Sequence, residues 1–237
     1  MEPARDTPFW AGYVERLDVP ETPEGVVNLN VSGRRVTSPI HGFGKMWQKT
    51  YTIRLEGADV SPEQLVKVWK ERFGDFWPRH ARFHGSLAGI TPGDVALINL
   101  RIGGMAMTTG VLVLYADDVS FTVMTPQGHQ FSGFNTFSAE RDGDVTVAQI
   151  QALVRASDPI YELGMPVIGH RAEDAFWTGT LQSVAAHFGA QGSPVQLRRV
   201  CVDSKRQWRH WKNVWHNAAV RSGLYLLATP ARHLRKA

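Results

Sequence analysis

Three side chains able to do chemistry stand together at the start of GHRAEDAFWTGTLQSVAAHFG (residues 169–189). His170 and Glu173, at helical spacing i and i+3, could share a metal ion or act as an acid/base pair. No third ligand stands nearby at a usable spacing. Glu173 and Asp174 would also suit the first turn of a helix, where the macrodipole favours negative charge. The helix-start interpretation is favoured, and a metal or acid/base site is the alternative.

Histidines in predicted loops are the other acid/base candidates: His80, His84 and His129. His129, in TPQGHQF, stands beside a predicted hairpin turn and could act as a general base near neutral pH. The sequence shows no carboxylate or nucleophile partner for it, so a solvated turn histidine is favoured. Neither a G-x-S-x-G elbow nor an H-E-x-x-H motif is present. We therefore assign no catalytic residue, no metal and no cofactor, and the sequence leans away from an enzyme.

The segment that carries His170 has the pattern of a long helix. Trp177, Leu181, Val184 and Phe188 recur at i, i+4, i+7 and i+11, which places them on one apolar face. Gly189 suits the C′ position that ends a helix. Gly164-Met165-Pro166 and Gly169 predict a break or kink before this helix.

Period-two alternation predicts a run of strands before the helix. Five candidates follow one another at residues 95–102, 109–116, 119–125, 130–140 and 145–156, and the connections between them are short. Short connections favour antiparallel neighbours in an up-and-down meander. We expect a bulge at Gln149 in the last strand, with a helical second half as the alternative.

Two further elements and an irregular arm precede the meander. Residues 51–57 alternate as a strand, with Tyr51, Ile53 and Leu55 on one side. Ser61 and Gln64 form a capping box at the start of a helix. Residues 1–46, rich in Pro and Gly, predict an arm with one short hairpin pinned by Ser32-Gly33.

This order of elements, and especially VLYADDVSFTVMTPQGHQFSGFNTFSAE (112–140) and residues 146–189, resembles the START-like (polyketide cyclase, SRPBCC, helix-grip) superfamily, in an uncharacterised bacterial branch. The resemblance covers about residues 48–189. It implies an α+β helix-grip fold, in which a curved antiparallel sheet wraps on a long C-terminal helix and encloses a hydrophobic cavity. Cys201 is the only cysteine, so the Rieske oxygenase branch is excluded. The superfamily brings no universal catalytic motif.

The predicted division follows from this coverage: an N-terminal arm (1–46), a helix-grip domain (47–190) and a basic, Trp-rich helical extension (191–237). If the helix covers the concave face of the sheet, the expected ligand-binding residues are Tyr115, Phe121, Asn135, Phe137, Trp177 and Leu181. Tyr115 and Asn135 are the polar tips that could orient a ligand in an apolar cavity. Their structural alternatives are a hydrogen bond from Tyr115 to a backbone carbonyl and a bulge cap by Asn135.

The extension carries most of the positive charge. Residues 198–237 hold ten Lys and Arg against Asp203 alone, although the whole chain has a net charge of only +4. In SKRQWRHWKNVWHNAAVRSGLYLLATP (204–230), Ser204 and Gln207 predict a capped helix. The residues expected to contact a membrane or partner are Trp208, Trp211, Trp215, Lys205, Arg209 and Lys212.

Three kinds of contact are open to this extension. Docking of the tryptophans on the body of the protein, or an oligomer contact, is favoured. An acidic membrane surface is the next alternative, since tryptophans and cations suit lipid headgroups. Nucleic acid is the least favoured, because no recognition motif accompanies the basic residues.

The sequence therefore predicts non-catalytic binding of a hydrophobic small molecule or lipid between sheet and helix. A cyclase-like or other small-molecule-transforming enzyme of the same superfamily, using Tyr115, His129 or His170, is the first alternative. A scaffold whose own side chains fill the cavity is the second. The N-terminus has no apolar signal region, and no apolar run anywhere in the sequence is long enough to span a bilayer, which predicts a cytoplasmic protein. Peripheral association with the inner face of the membrane is a further expectation.

Overall fold

One antiparallel sheet dominates this computed structural model, which describes residues 7–19, 22–23, 26, 28–85, 89–102 and 105–234. Within these residues its strands are β1 (Val36–Thr37), β2 (Met46–Arg54), β3 (Ala81–His84), β4 (Val95–Ile102), β5 (Met105–Ala116), β6 (Ser120–Pro126), β7 (Phe131–Asp142), β8 (Val145–Ala156) and β9 (Val195–Asp203). The order across the sheet is β3-β4-β5-β6-β7-β8-β2-β9, and β1 pairs with β6.

Two of the helices that follow cover one face of this sheet, and the others pack elsewhere on it or at its end. The helices are α1 (Pro62–Glu71), α2 (Pro159–Gly164), α3 (His170–His187) and α4 (Ala218–Leu234). Short 3-10 helices occupy Thr7–Phe9, Pro39–His41, Phe73–Phe76 and Trp208–His216, and a π-helical turn occupies Met165–Gly169. No helix in the described part of the chain is both long and apolar enough to cross a bilayer.

The core lies between the concave face of the sheet and the two helices that it grips. α1 contacts β7 and β8, and α3 contacts β2 and β8. Alternate residues of β2 enter this core, as the pattern of Tyr51 and Ile53 predicts, and both are buried. From the helices, Trp69 and Leu181 meet them there. The predicted α+β helix-grip fold, an antiparallel sheet wrapped on a long helix, is therefore confirmed.

The start of α1 follows its sequence signal. The backbone N–H of Gln64 donates to Ser61 Oγ at 3.2 Å, and the N–H of Ser61 donates to Gln64 Oε1 at 3.1 Å. Pro62 takes the first helical position, where its missing N–H costs no hydrogen bond. The predicted capping box is confirmed.

The helix that ends at His187 is continuous from Pro159, and its irregularity lies where a break or kink was predicted. α2, the π-helical turn and α3 run without a break from Pro159, and the N-cap is Asp158, whose Oδ1 accepts from the N–H groups of Ile160 and Tyr161. The π turn contains Pro166, which cannot donate a helical hydrogen bond and so accounts for the predicted irregularity. Glu173 lies in the first turn of α3, as predicted, but helical backbone runs into α3 from α2, so no free helix N-terminus is present to stabilise Glu173 or Asp174.

Several predicted strands differ from the observed ones. β8 keeps one register with β7 from Val145 to Ala156, so neither the bulge at Gln149 nor the helical alternative is present. Val36 and Thr37 pair with β6, where a hairpin within the arm was expected. β3 and β9 were not predicted. β9 pairs with β2 along its length, so residues 195–203 of the predicted extension belong to the sheet.

The extension is not the single helix that Ser204 and Gln207 predict. The N–H of Gln207 donates to the carbonyl of Phe43, so it does not complete a capping box with Ser204. Asp203 Oδ1 accepts from the N–H of Lys205. A 3-10 helix, Trp208–His216, comes first. α4 begins after Asn217, whose side-chain oxygen accepts from the N–H of Val220 at 3.0 Å.

Candidate functional site

Four of the predicted ligand-binding residues lie between the sheet and α3 and fill that space themselves. Phe121 and Phe137 stack with ring centroids 4.7 Å apart, and Trp177 meets Phe137 edge-on at 5.5 Å. Trp69 of α1 adds a second edge-on contact to Phe137, also at 5.5 Å. Leu181 is fully buried beside them. This packing gains dispersion and aromatic contacts at the place where a ligand was expected.

Two surface depressions in the described part of the chain lie away from these aromatic residues. One, of about 220 Å³, is lined by the end of α3 and the following loop, including Ala185 and Ala190. The other, of about 330 Å³, is lined by charged residues that include Arg54 and Asp142. Neither is lined by a predicted ligand-binding residue.

Tyr115 lies on the convex face of the sheet, so its predicted place in the concave lining is wrong. A register shift between Val113 and Tyr115 turns the strand, and Tyr115 pairs with Thr122. Its ring packs against Trp10 at a centroid distance of 4.7 Å, and its hydroxyl donates to Asp117 Oδ2 at 2.6 Å. Tyr115 therefore holds the N-terminal arm.

Asn135 does point into the interior. It lies between Val123 of β6 and Ala152 of β8, and Ala152 in turn pairs with Lys49 of β2. Asn135 Oδ1 is buried and has no hydrogen-bond partner. An unpaired buried carbonyl oxygen is unfavourable by roughly 1–3 kcal/mol, so this atom is suited to accept a hydrogen bond from a bound group.

A cluster of charges, buried except for the half-exposed Arg199, links β2, α3 and β9. Lys49 Nζ lies 2.5 Å from Glu173 Oε2 and 3.0 Å from Asp174 Oδ1. The hydroxyl of Tyr51 donates to Asp174 Oδ1 at 2.7 Å, and Arg199 donates to Asp174 Oδ2. Two cations thus meet two carboxylates. The charges balance, and each of these groups is engaged by another.

The electrostatics of the cluster favour a structural role. Burial, together with the carboxylates of Glu173 and Asp174, raises the pKa of Tyr51 above its ordinary range, so the phenol stays protonated. Burial and the nearby Lys49 ammonium lower the pKa of His170 to about 4, so its ring is neutral near pH 7. No group of three or more metal-ligating side chains is placed to hold an ion within the described ranges.

One signal in the sequence could have revealed this cluster. Lys49 lies on the same side of β2 as the buried Tyr51 and Ile53. The predicted strand began only at residue 51, so this position was not considered. Extending the alternation by two residues places a lysine inside the core. A buried lysine requires carboxylate partners. Nothing local indicates that these partners are Glu173 and Asp174.

The candidate acid/base residues have separate surroundings. Tyr115 packs with the arm on the convex face, and His170 meets the ring of Trp47 edge-on at 5.0 Å. His129 is buried in the turn between β6 and β7, where its Nδ1 accepts from the N–H of Phe131 at 3.0 Å. The structure assembles no acid/base pair from these three side chains. His80 is exposed, and His84 is half-buried.

The tryptophans of the extension are exposed. Trp208, Trp211 and Trp215 retain 69%, 46% and 70% of their surface, although Trp208 meets the ring of Phe43 edge-on at 5.2 Å. Docking of these side chains on the body predicted burial, so that interpretation is wrong for this chain. The 3-10 helix leaves its indoles in solvent.

Basic side chains flank the exposed indoles. Lys205, Arg209 and Lys212 are exposed, and residues 204–237 contain no Asp or Glu. In the described part of the chain no ion pair involves these three side chains, and the Lys212 ammonium lies 5.9 Å from the Trp211 ring. The segment therefore presents indoles and uncompensated cations together.

Comparison with known proteins shows distant structural similarity. No protein-family model matches the sequence, and a search of curated proteins finds no match. The di-domain ARO/CYC StfQ from the steffimycin biosynthetic pathway is 13% identical, with a TM-score of 0.48 over 61% of this chain and 51% of that chain. The match thus spans about half the length of StfQ.

Two other solved structures are matched over nearly their full length. A START superfamily protein from Mycobacterium smegmatis is 19% identical, with a TM-score of 0.44 over 62% of this chain and 98% of that chain. The major latex-like protein 151 from Panax ginseng is 12% identical, with a TM-score of 0.42 over 61% of this chain and 99% of that chain. The fold assignment rests on the strand order and helix positions described above.

Proposed function

We propose that this protein binds anionic membrane surfaces through its C-terminal extension, and that the helix-grip domain is the rigid body that presents it. The observation that carries the proposal is the exposure of Trp208, Trp211 and Trp215 beside uncompensated cations. Indole rings partition to the headgroup region of a bilayer, where an apolar ring and a polar N–H both find suitable surroundings. Membrane binding by this surface does not require a cavity between the sheet and α3.

The basic side chains supply the second part of the interaction. Each Lys or Arg near an anionic surface contributes about 1 kcal/mol, and the attraction decays within a Debye length. Lys205, Arg209 and Lys212 alternate with the tryptophans along the same segment. They would therefore reach the phosphates while the indoles enter the interface.

The segment is held in place before any membrane contact. The amide of Asn213 donates to the carbonyls of His41 and Ser157, each at 2.8 Å. The N–H of Ala218 donates to the carbonyl of Gly128 at 2.9 Å. Because the backbone is already ordered, binding would carry little further conformational entropy cost.

Vesicle flotation of the full chain tests the proposal. We expect binding to phosphatidylcholine vesicles that contain phosphatidylglycerol and no binding to pure phosphatidylcholine. Replacing Trp208, Trp211 and Trp215 by Ala should abolish binding. The matched control is Trp10→Ala, because Trp10 is half-exposed on the N-terminal arm. Equal flotation of the triple variant and the wild type, or none of the wild type, would contradict the proposal.

The interior supports a second candidate, the binding of a hydrophobic small molecule between sheet and α3. The unpartnered Asn135 Oδ1 favours it, since a ligand hydroxyl or amide could donate there. Entry would require the stacked Phe121 and Phe137 to move. Mass spectrometry of denatured protein purified from its host should then find one recurrent amphiphile per chain, reduced in Asn135→Leu. An extract without such a molecule argues for a grip filled by its own side chains.

A further inference from the structure

A second apolar stripe lies exposed beside the tryptophan segment. Ile160, Leu163 and Val167 recur at i, i+3 and i+7 along α2 and the π-helical turn, and Ile168 stands next to them. Leu163 and Val167 are 75% and 68% exposed. An amphipathic helix normally turns such a face to the core. Here it faces solvent.

Direct hydrogen bonds join this helix to the extension. Asn217 Nδ2 donates to Asp158 Oδ2 at 2.8 Å, and Arg206 Nε donates to Glu162 Oε1 at 3.0 Å. The N–H of Ala219 donates to the Tyr161 hydroxyl at 3.1 Å. The polar side of α2 is thus used to hold the extension, which leaves the apolar stripe free beside it.

α4 continues the pattern. Val220, Leu224 and Leu227, at i, i+4 and i+7, are exposed, whereas Ala218 and Ser222 are buried against the body. Ser222 lies 3.3 Å from the N–H of Thr108 in β5. Three connected segments, α2 with the π turn, the 3-10 helix and α4, therefore expose apolar stripes near the end of the sheet where β8 ends and β5 begins.

We infer that the stripe of Leu163, Val167 and Ile168 enters the interface of an anionic bilayer together with the tryptophans. This inference rests on the proposed function and extends it, because a second contact from another element fixes how the body lies on the membrane. The end of the grip at which β8 passes into α2 then faces the lipid. The cluster of Phe131, Val154 and Met165 lies directly behind that end.

The positive charge and the apolar side chains of this surface together favour a bilayer over other binding partners. A second copy bound by the same face would bring two sets of uncompensated cations together, including Arg209 and Lys212 of each chain. Nucleic acid would meet the cations but leave Leu163 and Val167 without apolar partners. A bilayer supplies phosphates and acyl chains at once.

Aspartate substitutions on the stripe test the inference. Leu163→Asp with Val167→Asp should weaken binding of the full chain to vesicles of phosphatidylcholine with phosphatidylglycerol by roughly tenfold or more. Both side chains are exposed, so thermal unfolding should be unchanged. The control is Val119→Asp, in the β5–β6 turn at the opposite end of the sheet, which should bind as the wild type does.

A fluorophore gives an independent measurement. In a Cys201→Ser background, an environment-sensitive dye on Val167→Cys should shift to the blue when these vesicles are added, and the same dye on Val119→Cys should not. If the wild type binds, the tryptophan variants fail and the stripe variants bind normally with no dye shift, this inference is wrong and the proposed function stands. If the wild type does not bind, both are wrong.

Discussion

The ammonium of Lys49 lies 2.5 Å from the carboxylate of Glu173, and neither side chain is more than 5% exposed. This pair joins a strand to the helix that it grips, across 124 positions of sequence. Taking two charges out of water is unfavourable, and here a second carboxylate, Asp174, and the phenol of Tyr51 complete the hydrogen bonds. The pair therefore fixes the position of α3 on the sheet.

Replacing Lys49 should show how much the stability of the protein depends on this pair. We expect Lys49→Met to lower the free energy of unfolding by about 3–5 kcal/mol, because Glu173 and Asp174 would share a buried site with one cation fewer. Urea denaturation measures the loss. Arg54→Met, which breaks an exposed pairing with Glu56 and Asp142, is the matched control and should have little effect. If the two variants lost the same free energy of unfolding, the buried cluster would contribute no more to stability than the exposed pairing.

His129 predicts how stability depends on pH. Burial lowers its pKa from the ordinary 6.5 to about 4, and protonation would also remove the acceptor used by the N–H of Phe131. Between these two pH values the unfolded chain binds a proton that the folded chain does not, so stability falls as pH falls. The loss attributable to His129 over that window is about 3 kcal/mol.

Urea denaturation at a series of pH values checks this prediction. His129→Gln should reduce the slope between pH 6.5 and about 4, and the contribution of His170, whose pKa is also lowered to about 4, should remain. A variant that keeps the full slope would assign the effect to other groups.

Replacing Phe137 tests whether side chains fill the space between the sheet and α3. Phe137→Ala should lower the free energy of unfolding by about 3–5 kcal/mol and leave a cavity against Trp69, Phe121 and Trp177. A small apolar molecule such as benzene should then raise the melting temperature of the variant. Phe134→Ala is the control, because Phe134 lies on the same strand, faces the opposite side and is half-buried. If both variants lose the same stability, the interior is not closely packed.

The basic residues predict a salt-dependent interaction. Arg209→Glu with Lys212→Glu should weaken binding to anionic vesicles by at least about 100-fold, and binding of the wild type should weaken as salt rises. Arg198→Glu, an exposed residue of β9, is the matched charge reversal outside the segment and should have a smaller effect. Flotation that is insensitive to salt would exclude the electrostatic contribution.

Much of the fold follows from local patterns in the sequence. The alternation over residues 95–156 predicts the meander, and the apolar face of Trp177 and Leu181 predicts the helix that it grips. Both patterns are strong because one side of each element is buried. β9 was missed because Arg198 and Arg199 interrupt its alternation, and an edge strand buries too little surface to require a regular pattern.

The candidate site was less predictable, since its parts depend on long-range contacts. The register shift after Val113 turned Tyr115 outward, and no residue type marks that shift in advance. Lys49, the buried partner of Glu173, comes from a strand that is distant in sequence. In the extension, the spacing of Trp208, Trp211 and Trp215 predicts one face of a helix but not whether the body covers that face. Only the packed structure shows that it does not.

The place of β2 in the sheet sets an order for assembly during synthesis. β2 lies between β8 and β9, so a strand made near the beginning of the chain acquires its two neighbours only when residues 145–156 and 195–203 have been translated. Until then Tyr51 and Ile53 have no sheet to enter. Pairings of such long range slow folding and prolong the exposure of apolar strands. β2 should therefore stay without its two sheet neighbours until both of these later segments have left the ribosome.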